Sequence, residues 1–70
     1  MSRAINLDLP IAEVRNLCAR SGVPVSAIEP LPQGGTHLVC TTGEGADEIR
    51  LTLGNHVITR RVKRFPFYRG

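Results

Sequence analysis

Residues 11–18 carry the clearest secondary-structure signal in this sequence, because their apolar side chains recur at helical spacing. One helical face collects Ile11, Val14, Leu17 and Cys18. Pro10 suits the first turn of a helix, and Asp8 just upstream can accept hydrogen bonds from the free amides there. Gly22 can adopt a left-handed cap and Pro24 cannot continue a helix. The sequence therefore predicts an amphipathic helix that ends near residue 21.

The next segment has the pattern of a β-hairpin. Residues 25–29 and 36–41 are rich in apolar and β-branched side chains, and a loop with two prolines and two glycines separates them. Alternation places Leu38 and Cys40 on one face of the second strand. Because the two strands are close in sequence, antiparallel pairing is the natural prediction.

A second, shorter helix is predicted after the hairpin. Thr41 or Thr42 can cap it, and Glu44 stands three residues after Thr41, as in a capping box. Its apolar face is formed by Ala46, Ile49 and Leu53. Gly54 and Asn55 end it.

Strands at both ends complete the predicted order, which is (β)αββαβ. Residues 3–7 have a weak strand pattern, and residues 56–62 form a last strand. Residues 63–70 either extend that strand or form a basic, aromatic C-terminal tail, since Pro66 disfavours a central strand position. This order resembles the split βαβ plan called ferredoxin-like, or a truncated version of it.

The predicted fold class is α+β, with two helices on one face of a three- or four-stranded, mainly antiparallel sheet. Seventy residues form a single domain, 1–70. The predicted core contains Ile11, Val14, Leu17, Cys18, Val25, Leu38, Cys40, Ile49, Leu53 and Ile58. The opposite sheet face would be open, and homodimerisation through that face or the last strand is left undecided by the sequence.

Cysteine usage and hydropathy indicate the cellular compartment in which the protein is expected. Cys18 and Cys40 have apolar neighbours, which predicts two reduced, buried thiols, with a disulfide between them as the alternative. Residues 1–4 are not followed by a long apolar stretch, and no apolar run approaches the ~20 residues of a membrane span. The expectation is a cytoplasmic protein with no membrane partner.

The C-terminal segment is the strongest candidate interaction site. Residues 1–55 hold four arginines against six acids, a net charge of −2, whereas residues 56–70 hold five cations and no acid, a net charge of +5. All aromatic residues of the chain lie among these cations. The candidate partner-binding residues are Arg60, Arg61, Lys63, Arg64, Phe65, Phe67, Tyr68 and Arg69.

Patterns typical of catalytic, cofactor and metal sites are missing from the sequence. Gly43-Glu44-Gly45 lacks the Gly-Lys-Ser/Thr ending of a P-loop. His37 and Cys40 would point to opposite faces of a strand, and the paired ligand spacing of a structural zinc site is absent. We therefore predict no catalytic residues, no cofactor and no metal, with His37 at the surface and Cys40 in the core.

Two binding classes lead after this comparison of motifs, and an enzyme ranks third because these patterns are missing. The first is a small, non-enzymatic binding or adaptor module that acts through protein–protein contact, as a regulator or inhibitor of the type that phages and mobile elements encode. The alternative is a nucleic-acid-binding domain, in which the cations neutralise phosphates and Phe67 and Tyr68 stack on bases. Against RNA recognition, strand 36–41 lacks aromatic residues and no Gly-x-x-Gly loop occurs.

Overall fold

The computed structural model describes residues 2–58 of the chain. Three strands, two α-helices and a short 3-10 turn follow one another in the order βαββα, with the turn last. They are β1 (Ala4–Leu7), α1 (Ile11–Ser21), β2 (Val25–Pro30), β3 (Thr36–Cys40), α2 (Gly43–Thr52) and the 3-10 turn (Gly54–His56). The predicted α+β class is confirmed, and the short first strand is real.

The described strands form one antiparallel sheet in the order β1-β3-β2. The predicted hairpin pairs β2 with β3, and β1 pairs with the other edge of β3. The register aligns Ile5, Leu38 and Ile28 in one row, and Asn6, His37 and Glu29 in the next. Since side chains alternate along a strand, these two rows point to opposite faces of the sheet.

Both helices pack on the sheet face that carries Ile5 and Leu38. Val14 and Cys18 of α1 and Ala46 and Ile49 of α2 join one buried cluster with inward-facing strand residues. The cluster contains Ile5, Leu7, Val14, Cys18, Val23, Leu38, Cys40, Ala46, Ile49 and Leu53. Six of the ten predicted core residues are therefore confirmed: Val14, Cys18, Leu38, Cys40, Ile49 and Leu53.

The other core predictions need correction. Val25 is 38% exposed, because a register shift between Val25 and Ala27 breaks the alternation of β2, and Val23 is buried in the cluster instead. Ile11 and Leu17 are half-buried at the margin of α1, although Leu17 still packs against the cluster. Ile58 is also half-buried, and its neighbour Val57 is the residue that packs against the core.

The helix ends show how local chemistry sets the boundaries. Asp8 was predicted to cap α1, but the N-cap is Pro10, without a side-chain hydrogen bond. Gly22 ends this helix in the predicted left-handed conformation, with φ of 70°. At α2, Thr42 is the cap, and its hydroxyl accepts a hydrogen bond from the amide of Gly45 at 3.0 Å.

The chain after α2 returns to the free edge of β1. The predicted strand 56–62 is wrong for His56, which ends the 3-10 turn. Val57 forms an antiparallel bridge with Leu7, and the amide of Ile58 donates to the carbonyl of Asn6 at 2.8 Å. The remainder of that predicted strand, and residues 63–70, lie outside the described residues.

Candidate functional site

All eight candidate partner-binding residues lie outside the described part of the chain. They are Arg60, Arg61, Lys63, Arg64, Phe65, Phe67, Tyr68 and Arg69. The structure therefore neither brings them together nor separates them. What it does show is the sheet face next to the point where the described chain ends, at Ile58 beside Asn6.

This face, which we call the outer face, lies opposite the two helices. Strand alternation and register assign six residues to it: Ala4, Asn6, Ala27, Glu29, His37 and Val39. Across its middle runs a polar row formed by Asn6, His37 and Glu29, one residue from each described strand. Directly paired residues of this kind have neighbouring side chains.

The central histidine of the polar row is held by a hydrogen bond. His37 Nδ1 lies 2.6 Å from Asn6 Oδ1. Because an amide oxygen only accepts, Nδ1 carries the proton and donates it, and the neutral ring then presents Nε2 as an acceptor. Among the described residues, this Nε2 is the buried side-chain atom without a hydrogen-bond partner. The row thus contains an unused acceptor.

The polar row is more buried than its position suggests. His37 is 6% exposed and Glu29 is 8% exposed, although neither described helix packs on their face. The prediction that His37 lies at the surface is wrong, since only 6% of the residue is exposed. Burial lowers the pKa of His37 below its ordinary value of 6.5. A neutral ring at neutral pH follows from this shift.

Two sets of side-chain contacts in the described part tie chain segments together. The guanidinium of Arg50 donates to the carbonyls of Ser2 and Ala4 and pairs with Asp47 at 3.2 Å, which fastens β1 to α2. His56 Nδ1 lies 2.9 Å from Asp8 Oδ1, which links the chain after α2 to the end of β1. Asp8 therefore contacts His56 and not the amides of α1.

The two cysteines belong to the core, as predicted. Both are buried free thiols. Burial raises the pKa of Cys18, and the nearby Cys40 raises it further. Burial also raises the pKa of Cys40, with Arg50 opposing the effect. These shifts are opposite to those of an activated cysteine nucleophile.

His37 and Cys40 lie on opposite faces of β3, as the strand alternation predicts. Within residues 2–58, no three of the His, Cys, Asp and Glu side chains are grouped as metal ligands. In that same range, no helix is both long and apolar enough to cross a membrane. The described chemistry is thus a polar row that contains an acceptor without a hydrogen-bond partner. No protein-family model, curated protein or solved structure matches this chain.

Proposed function

We propose that this protein is a small, non-enzymatic binding module that acts through protein–protein contact, as a regulator or inhibitor. Its contact surface combines the outer face with residues 60–69. The observation that carries the proposal is the one-sided packing of the described helices, which both lie against the Ile5–Leu38 face. Neither described helix covers the second sheet face, and Ala27 is exposed on it.

The proposal includes the ferredoxin-like plan, completed by a fourth strand. Three features of the described part support it: the strand order β1-β3-β2, its antiparallel directions, and the bridge of Val57 to the free edge of β1. A strand that continued this register would place Ile58 and Arg60 on the outer face, and Thr59 on the helix side. The basic segment would then begin on the same face as the polar row.

The composition of the C-terminal segment suits a protein interface. Tyrosine and arginine are enriched among the residues that dominate binding energy, and phenylalanine is enriched at interfaces. The segment holds Phe65, Phe67, Tyr68 and Arg69 in close succession. Leu51 on α2 is a large apolar residue that is 85% exposed. It therefore serves as a control site for substitutions of the aromatic residues.

The direct test is capture of a partner from a lysate of the source organism. We expect the wild-type chain to capture a discrete partner with little dependence on salt, because apolar contacts are not screened. Replacing Phe65, Phe67 and Tyr68 with alanine should abolish capture, while Leu51→Ser should leave it unchanged. Equal capture by the wild type and the triple variant would contradict the proposed surface.

A second candidate function, nucleic-acid binding, is favoured by the charge segregation alone. The +5 segment suits phosphates, but the outer face contributes Glu29 and none of its six residues is a cation. Fluorescence anisotropy with single- and double-stranded oligonucleotides tests it. Salt-sensitive binding that disappears when Arg60, Arg61, Lys63 and Arg64 become alanine would establish it. Absence of binding at low salt would remove it.

A further inference from the structure

The two edges of the described sheet differ in what occupies them. The strand order β1-β3-β2 makes β1 and β2 the edge strands. At the edge of β1, the carbonyl of Asn6 accepts from the amide of Ile58, and the carbonyl of Ala4 accepts from Arg50 at 3.3 Å. Within residues 2–58, by contrast, no strand pairs with the outer edge of β2. An unpaired edge is a template for a strand of another molecule, so proteins block such edges.

A hydrogen bond in the hairpin shows which backbone groups of β2 point towards β3. The amide of Leu31 donates to the carbonyl of Gly35 at 3.0 Å, so the backbone of Leu31 faces the other arm of the hairpin. Backbone direction alternates from residue to residue along an antiparallel strand. Pro30 and Ile28 therefore direct their backbone groups away from β3, to the outer edge of the sheet.

A second hydrogen bond, on the far side of β3, leads to the same assignment. The amide of Cys40 donates to the carbonyl of Arg3 at 2.9 Å, so Cys40 and, by alternation, Leu38 direct their backbone groups towards β1. Leu38 is paired with Ile28. The backbone groups of Ile28 consequently receive no bond from β3 and point outwards.

The outer edge of β2 is poor in hydrogen-bond donors. Pro30 lies at one of the outward positions, is exposed, and has no N–H. At the other end of the strand, the register shifts between Val25 and Ala27, which ends the regular ladder. The regular part of β2 thus presents a single outward N–H, that of Ile28. Prolines and bulges are two of the devices by which natural sheets prevent edge-to-edge pairing.

We infer that Pro30 blocks the addition of a strand to the edge of β2. An incoming antiparallel strand would place a carbonyl opposite Pro30, and that carbonyl would lose its hydrogen bond to water without gaining another. A protein partner of this domain then binds through side chains and does not extend the sheet at β2. The inference does not rest on the proposed function, because it concerns the backbone of β2 alone.

Self-association of two proline variants tests the inference. Pro30→Val restores an outward N–H, whereas Pro32→Val changes an exposed proline of the hairpin loop and is the matched control. In a symmetric pair of β2 strands, Pro30→Val recovers two backbone hydrogen bonds, so its dissociation constant should fall about thirty-fold. Sedimentation velocity over a range of concentrations measures it, and Pro32→Val should behave like the wild type. Equal self-association of the two variants would overturn the inference.

Amide exchange in the wild-type chain provides a second measurement that does not depend on the folding of a variant. After correction for intrinsic rates, the outward amide of Ile28 should exchange at least about ten-fold faster than the amide of Glu29, which the ladder directs towards His37. An Ile28 amide as slow as that of Glu29 would mean that the edge is already paired and would also overturn the inference. Partner capture is a separate readout, so failure of the proposed function leaves both results intact.

Discussion

The two faces of the sheet are built from alternate residues of the same three strands, yet they are held together differently. On the helix side, Leu7, Leu38 and Cys40 are fully buried among apolar neighbours. On the outer face, His37 and Glu29 are almost as buried, but they are polar. Apolar burial is non-directional and needs only contact, whereas polar burial needs partners in the right geometry. One sheet thus combines two kinds of stabilisation.

Neighbouring residues of β3 provide the largest expected contrast between the faces. Leu38→Ala should lower the free energy of unfolding by about 2–5 kcal/mol, because it leaves a cavity under both helices. Val39→Ala, one residue along on the outer face, should cost only about 1 kcal/mol, since Val39 is half-buried. Urea unfolding of both variants measures the difference. Equal losses would contradict the assignment of the apolar core to one face.

Removing the partner of His37 tests whether the polar row contributes to stability. Asn6→Ala leaves the buried Nδ1–H of His37 without its acceptor, which should cost about 1–3 kcal/mol. The control is Asn16→Ala on the exposed side of α1, which should change stability by less than about 0.5 kcal/mol. If the polar row did not contribute to stability, the Asn6→Ala and Asn16→Ala variants would have the same urea midpoint.

Thr36 brings a polar group into the helix side, and its replacement should have a smaller effect. Its hydroxyl donates to the carbonyl of Leu9 at 2.8 Å, and the residue is fully buried. Thr36→Val keeps the volume but loses this bond, which should cost about 1 kcal/mol. Thermal unfolding of the variant beside the wild type measures it. A more stable variant would mean that apolar contact outweighs the hydrogen bond.

The smallest expected effect is the pH dependence that His37 introduces. Burial holds its folded pKa below 6.5, so the unfolded chain binds the proton more readily. Its contribution to stability is complete above about pH 6.5 and is lost as the pH falls towards the folded pKa. His37→Gln should flatten the unfolding free energy between neutral and mildly acidic pH. An unchanged slope would mean that His37 titrates alike in both states.

Local patterns predict the elements of this fold well. Helical spacing from Ile11 to Cys18, and the glycine and proline that follow, place α1 correctly. The loop before Thr36 separates two strands that do pair. Each of these signals lies within a few residues of the structure that it forms, which is why periodicity and turn chemistry are sufficient.

The errors occur where structure depends on distant pairing. A shift in strand register exposes Val25, and no local sequence pattern predicts this shift. Asp8 contacts His56, 48 residues away, and so is not available to α1. The hydrogen bond of His37 is to Asn6, 31 residues away. The sequence does not predict the polar row, because its three residues come from strands that are distant in sequence. The alternation of Asn6 with Ile5 and Leu7 indicates only that Asn6 faces away from the core.

The position of β1 determines when its pairing in the sheet can be completed during synthesis. This strand is made first, yet both of its neighbours are made late: β3 ends at Cys40, and the bridging Val57 follows α2. Until those residues leave the ribosome, Ile5 and Leu7 have no sheet to join. Strand β1 therefore gains partners on both of its edges only after α2 has been made.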